Sequence, residues 1–285
     1  MSSSYKNSAQ VNKSVLNTQS IVLASIGWGV LALLYFLLFS AKVPGADGVK
    51  RAEWYVLGTN IFEALAYLSS GILCLRNWRS PQIMSSRNVW LAMAIGMISY
   101  FFGGIFFGYT EIVLKEEPDA SIGDVFFVLS YVSLGVGMIL AVAARRINLE
   151  KWQWLIVAAI GVFGSLLAWW ISMQQSTAPE DMIITILNWF YIVSDVLLLI
   201  IATTLLLAFW GGRVSQSWRM IAAAAFSLYI ADMWFKYASQ NPNYQSGDIL
   251  EVFWVFSGVL FGMGAALEHD ASLSRTRRER GRKRA

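Results

Sequence analysis

Ile21-Val-Leu-Ala-Ser-Ile-Gly-Trp-Gly-Val-Leu-Ala-Leu-Leu-Tyr-Phe-Leu-Leu-Phe39 runs without a single charge. As a helix rising about 1.5 Å per residue, the run reaches about 28 Å, close to the roughly 30 Å hydrocarbon core of a bilayer. Only helices and closed barrels satisfy their backbone hydrogen bonds in lipid. A barrel strand would alternate polar and apolar residues over about ten positions, and this run does not alternate. It reads as a membrane-spanning helix. Seven more continuous apolar runs follow the first (21–40), near 54–75, 89–109, 122–144, 153–173, 183–209, 218–238 and 248–268. Short connections with turn signals separate them, such as Pro44-Gly45, Glu117-Pro118-Asp119 and Asn241-Pro242-Asn243.

The composition agrees. Of 285 residues, 56% are hydrophobic and 14% charged, where soluble domains average about 25% charged. A disordered chain needs low hydrophobicity and high net charge. A disulfide scaffold needs more than Cys74, the one cysteine. The first twenty residues are polar, and the first apolar run is long enough to span, so no cleavable signal peptide is expected.

Lysine and arginine test the span count, because cytoplasmic loops hold their excess. With the N-terminus inside, 17 of the 22 basic residues fall on one side, among them Lys6, Lys13, Arg76, Arg79, Arg87, Arg145, Arg146, Lys151, Arg213 and Arg219. The other side holds Lys42, Lys50, Arg51, Lys115 and Lys236. A missed or invented span would scramble this segregation. The expectation is an all-α membrane protein with eight transmembrane helices, both termini cytoplasmic, in a cytoplasmic (inner) membrane.

The halves also echo one another. Val22-Leu-Ala-Ser-Ile-Gly27 pairs with Ile156-Val-Ala-Ala-Ile-Gly161, Trp54-Tyr55 with Trp189-Phe190, and Trp90 and Ser99 with Trp218 and Ser227. Ser121-Ile-Gly-Asp124 pairs with Ser246-Gly-Asp248. Four spans return the chain to the side it started from, so the repeat is parallel, with its pseudo-axis along the membrane normal. The expected organisation is a polar segment (1–20), a first four-helix repeat (21–145), a second (146–270) and a polybasic tail (271–285).

Charges inside a membrane are costly and mark candidate functional sites. Glu63, Asp195, Asp232, Lys236 and Glu251 lie in the middle or outer half of their spans, and the inner halves read as free of ionisable groups. That asymmetry predicts an outward polar pocket between the halves. Asp232 and Lys236 also stand four residues apart, where an ordinary ion pair forms. Asp124 and Asp248 stand at helix starts, where carboxylates cap free N–H groups. Glu63 and Asp195 have no cap to serve, which leaves function or a polar interhelical contact. Asp232-x-x-x-Lys236 has the spacing of a retinal-binding helix, but Lys236 stands at the outer edge of its span and an eighth span follows.

Enzymatic chemistry finds little support. His269 is the only histidine, so no Ser-His-Asp triad and no zinc motif of His-Glu-x-x-His type can be assembled. No metal site and no cofactor is expected. Tryptophans near span ends read as an interfacial belt. The tail residues Arg277, Arg278, Arg280, Arg282, Lys283 and Arg284 read as a segment attracted to anionic lipid headgroups rather than to nucleic acid.

Tyr191-x-x-x-Asp195-Val-Leu-Leu-Leu, Ala231-Asp232, Tyr244-Gln-Ser-Gly-Asp248, Trp254 and Gly264-Ala-Ala together resemble the multi-span membrane input region of bacterial GGDEF diguanylate cyclases and related sensors. The first half carries a weaker echo at Ser121-Ile-Gly-Asp124-Val-Phe-Phe-Val-Leu-Ser-Tyr131. The resemblance implies a sensing or localising membrane part, and no GGDEF, PAS or kinase output domain is seen in this chain. The expectation is therefore a non-enzymatic sensory or scaffold protein acting through a separate cytoplasmic partner. A small-solute or ion transporter and an accessory subunit of a membrane complex are the alternatives.

Overall fold

A computed structural model describes residues 18–45, 48–115, 120–143, 149–174, 182–209 and 215–282. Eight long helices account for most of them: α1 (Thr18–Phe39), α2 (Glu53–Arg79), α3 (Arg87–Tyr109), α4 (Ile122–Ala143), α5 (Lys151–Ser172), α6 (Met182–Ala208), α7 (Ser215–Ala238) and α8 (Val252–Arg282). A short antiparallel pair, β1 (Val43–Gly45) and β2 (Gly48–Lys50), joins α1 to α2. Among the described residues, seven of the eight helices are long and apolar enough to cross a membrane. This is the architecture of an all-α, multi-pass membrane protein.

The exception is α7, expected as a span at 218–238. Arg219, Asp232, Lys236 and a run of alanines and serines keep it from being as continuously apolar as a span. Packing explains how it carries them. Trp218, Ile221, Ala222, Ala224, Ala225, Leu228 and Ala231 are all buried, so α7 presents much of its surface to other helices rather than to lipid. Lys6, Lys13, Arg145, Arg146, Arg213, Lys283 and Arg284 lie outside the described residues.

Large apolar side chains face outward where lipid would lie, and several polar side chains are buried among the apolar ones inside. Leu38, Val125, Phe163 and Leu155 are exposed, Leu155 at 70%, while Asp195, Asn77 and Glu268 are buried. α2, α3 and α4 pack in succession; α4 packs on α6, α6 on α7, α7 on α8, and α8 back on α2. These six helices close a ring. α1 lies outside it against α8 and α2, and α5 lies outside it against α6 and α7. Trp90, Met93, Met97, Leu134, Met138, Leu205, Trp218 and Ile221 fill the ring. The Trp90 and Trp218 rings meet there, centroids 6.3 Å apart.

Lipid supplies no hydrophobic drive between helices, so close approach depends on small residues and on polar contacts. The α2–α8 seam uses both. A Cβ on Gly258 would stand 2.9 Å from Ala66 Cβ and 3.1 Å from the Ala66 backbone. Ser70 Oγ donates to Gly258 O, and Asn77 Nδ2 donates to Ala265 O at 2.8 Å.

One helix runs longer than expected. α8 continues to Arg282, through part of the segment expected as a tail, because Ala, Leu, Glu and Arg are good helix formers and no glycine interrupts 265–280. Arg277, Arg278, Arg280 and Arg282 lie on this helical backbone.

Gly258→Val is expected to overpack the α2–α8 seam and cost about 1–3 kcal/mol, read as a lowered unfolding midpoint in detergent. Leu155→Ala, on the exposed face, is expected to shift stability by less than about 0.5 kcal/mol.

Candidate functional site

The sequence-predicted acids converge, but not on a single open pocket. Asp195 on α6 is 2% exposed, and Asp232 sits across from it on α7. Tyr131 on α4 stands between them. Its hydroxyl is 2.7 Å from Asp195 Oδ1 and also bonds to Asp232 Oδ2. Trp254 on α8 donates its indole N–H to Asp232 Oδ1 at 2.7 Å. Asp195 and Asp232 are within hydrogen-bonding reach of each other, and Lys236, one turn along α7, contributes a positive charge to Asp195. Four helices of the ring are thus tied at one point.

Proton counting makes this junction unusual. A phenol has one hydrogen to donate, and an ionised carboxylate only accepts. Tyr131 therefore donates to one carboxylate, and its bond to the other is completed by a proton on that carboxyl. Two bare negative charges at this separation in an apolar surrounding would repel strongly. The geometry describes an acid pair that holds one proton.

Glu63, on α2, extends the cluster on its other side. The groups that interact with it are Tyr100, Tyr67, Asp232 and Glu251. The Tyr67 and Tyr100 rings stack, centroids 3.8 Å apart and 12° from parallel. Tyr67 Oη and Ser257 Oγ are buried there and make no hydrogen bond of good geometry.

Glu251 has a different task. It is 5% exposed and accepts hydrogen bonds from Tyr244 Oη and from the Gly247 N–H at 2.7 Å. It fastens the 239–248 loop over the start of α8. Burial and the adjacent Glu251 carboxylate push the Tyr244 hydroxyl well above its ordinary pKa, so it stays a donor. Asp248 accepts from the Ile249 N–H at 2.7 Å at the start of the short 3-10 turn Ile249–Glu251, and its other oxygen stands 3.7 Å from Arg51. Asp124 accepts from the Ser121 N–H at 2.7 Å, three residues ahead of it, and from Tyr191 Oη at 2.7 Å. Both carboxylates serve helix starts, and each also makes a long-range contact.

Arg51 organises this end of the molecule. Its guanidinium donates to the carbonyls of Gln245, Ser246 and Ser40, and its backbone N–H donates to Gln245 Oε1 at 2.8 Å. Tyr55 Oη donates to Gly247 O at 2.7 Å. Gly247 has a left-handed backbone, φ +92°, and a Cβ there would lie 2.6 Å from the Tyr55 ring. Glycine is required on both counts.

A cavity lies beside this frame. It measures about 500 Å³ and is lined by Lys42, Arg51, Gln174, Trp234, Tyr237, Gln240, Asn241, Asn243, Tyr244, Gln245 and Asp248. None of Glu63, Asp195, Asp232, Lys236 and Glu251 lines it. Tyr244 forms the wall between them, facing the cavity while bonding Glu251. The single expected pocket is thus two places, an amide- and aromatic-lined cavity and a buried acid junction, because Tyr244 and Phe235 pack between them.

The opposite end of the bundle differs from expectation too. Glu268 is fully buried, and its Oε1 accepts from the Ser85 N–H at 3.2 Å. Ser272 Oγ accepts from the Met84 N–H at 3.0 Å. Glu268 ends the expected span, but α8 continues past it and the α2–α3 loop folds onto it there. Among the described residues, no group of three or more His, Cys, Asp or Glu side chains could hold a metal ion.

Tyr131, Trp254, Tyr244 and Arg51 are not among the expected site residues. Tyrosines and tryptophans are abundant and suit an interfacial belt, and Arg51 reads as a loop charge. Tyr131, Tyr244 and Trp254 do stand within the stretches that carry the family resemblance. Comparison with protein-family models, curated proteins and solved structures finds no match to this chain.

Tyr131→Phe is expected to cost about 1–3 kcal/mol, since it leaves buried carboxylate oxygens short of a partner. Combined with Asp232→Asn, the losses are expected to fall short of additive by about 0.5–3 kcal/mol, measured as a double-mutant cycle of unfolding in detergent. Gly247→Ala is expected to loosen the 239–248 loop, read as faster proteolytic cleavage there.

Proposed function

We propose that this chain is a non-enzymatic membrane sensory or scaffold protein. In this reading the outer cavity admits a small ligand, the Asp195–Tyr131–Asp232 junction answers it, and α8 carries the response to a separate cytoplasmic partner. The observation that carries the reading is the continuity of α8. One unbroken helix starts beside Glu251, bonds Asp232 through Trp254, and runs 31 residues to Arg282. At about 1.5 Å per residue it is roughly 46 Å long, against a hydrocarbon core of about 30 Å. A shift at its outer end is transmitted to the opposite end without a hinge.

The eight-span arrangement with parallel repeats belongs to the same proposal. The packing supports it: neighbours α2–α3, α3–α4 and α8–α2 have counterparts in α6–α7, α7–α8 and α4–α6. Trp90 and Trp218, equivalent in the repeats, touch one another, as residues beside a pseudo-two-fold axis do. Tyr55 reaches the start of the α8 segment at Gly247, and Tyr191 reaches the start of α4 at Asp124. With both termini on the cytoplasmic side, the basic tail meets the anionic face of the membrane.

Transport is the weaker reading. Trp90, Trp218, Met93, Met97 and Ile221 fill the ring with apolar bulk, and a carrier needs a polar path to both faces.

A photo-crosslinking residue at Ala271, expressed in cells, is expected to capture a defined partner protein. Asp232→Asn is expected to change the captured amount several-fold at equal expression. Equal capture in both forms, or uptake of a solute by wild-type proteoliposomes that Asp195→Asn abolishes, would overturn the sensory reading.

A further inference from the structure

α1 rests on α8 but leaves a gap toward α7, and the gap is a groove of about 570 Å³. Its floor is α8, through Phe256, Val259 and Met263, and its walls are α1 at Gly29 and Leu33 and α7 at Ala223 and Ile230. The lining is apolar apart from Ser25, Ser227 and Arg219. Ser227 Oγ is engaged by Phe253 O at 2.8 Å. Arg219 is the only charged lining residue, and it stands at one end, in the first turns of α7.

Size and charge together specify the occupant. From Arg219 to Ile230 the groove follows eleven residues of α7, about 16 Å, roughly half of the hydrocarbon core. An acyl chain fits, and it would fit from one leaflet only. The end near Ile230, Leu33 and Phe253 has no charged group, and the Ser227 hydroxyl there already donates to Phe253 O, so the amphiphile lies with its head at Arg219. A guanidinium there matches a phosphate oxygen pair in geometry and sign.

We propose that this groove is a binding site for an anionic phospholipid, one acyl chain lying between α1 and α7 and the phosphate at Arg219. The site is separate from the outer cavity and from the acid junction, and it holds whether or not the sensory reading is right. It couples the lipid composition of the leaflet at that end to the seating of α1 on α8.

The test uses the full chain in phosphatidylcholine vesicles containing a trace of phosphatidylglycerol or phosphatidylcholine with a photoactivatable acyl chain. Crosslinked peptides are mapped by mass spectrometry. Phosphatidylglycerol is expected to label the α7 and α8 groove peptides about fivefold more than phosphatidylcholine, the factor one basic residue near an anionic headgroup gives. Arg219→Ala is expected to abolish that preference, and Arg219→Lys to keep most of it. Equal labelling by the two lipids in the wild type overturns the proposal even if Arg219→Ala does not fold. So does an anionic preference in the groove that survives Arg219→Ala, or labelling confined to peptides of the basic tail.

Discussion

The Tyr131 hydroxyl has one proton and two carboxylates to serve, and the bundle is arranged around that shortage. Asp195, Asp232 and Trp254 reach the same point from α6, α7 and α8, and Tyr131 reaches it from α4. Apolar surroundings make each of these polar contacts stronger and each missing one more costly. Tyr131 and Trp254 donate there and the acid pair holds one further proton, so the junction has two states available by gain or loss of that proton.

The frame above the junction is equally specific. Arg51 gathers three backbone carbonyls and Asp248, Tyr55 holds Gly247, and Glu251 closes the loop from below. These contacts join the segment before α2 to the segment before α8, nearly two hundred residues later in the chain. Amide side chains and aromatic rings line much of the cavity. Tyr244 lines the cavity and bonds the buried Glu251, and Arg51 and Asp248, which also line it, interact with Glu251 as well. The cavity and the buried cluster are therefore separate in space and joined through these side chains.

The helices were legible in the sequence because long uncharged runs admit little else in lipid. The eight expected runs lie within a few residues of α1 to α8, except that α8 runs on past 268 to Arg282. α7 is the helix that apolarity alone does not mark as a span: Arg219, Asp232 and Lys236 interrupt it, and Trp218, Ile221 and Leu228 are buried against neighbouring helices. The acids were legible because charge is scarce, and Asp195 and Asp232 do meet. Their partners were not, since nothing local separates Tyr131 or Trp254 from the many aromatic residues of a membrane protein. Glu268 was hidden for a different reason. Its role is to hold the loop around Ser85, a tertiary contact that no local pattern announces.

The central claim is that the acid junction sets the seating of α8 at the far end of the bundle. Cys74 is the only cysteine, so a Cys74→Ala chain carrying Ser272→Cys places one thiol where α8 meets the α2–α3 loop. Its labelling rate with a water-soluble maleimide, with and without Asp232→Asn, reads the coupling directly. The account predicts a several-fold change in that rate when Asp232 loses its charge. An unchanged rate in a folded Asp232→Asn variant would contradict it.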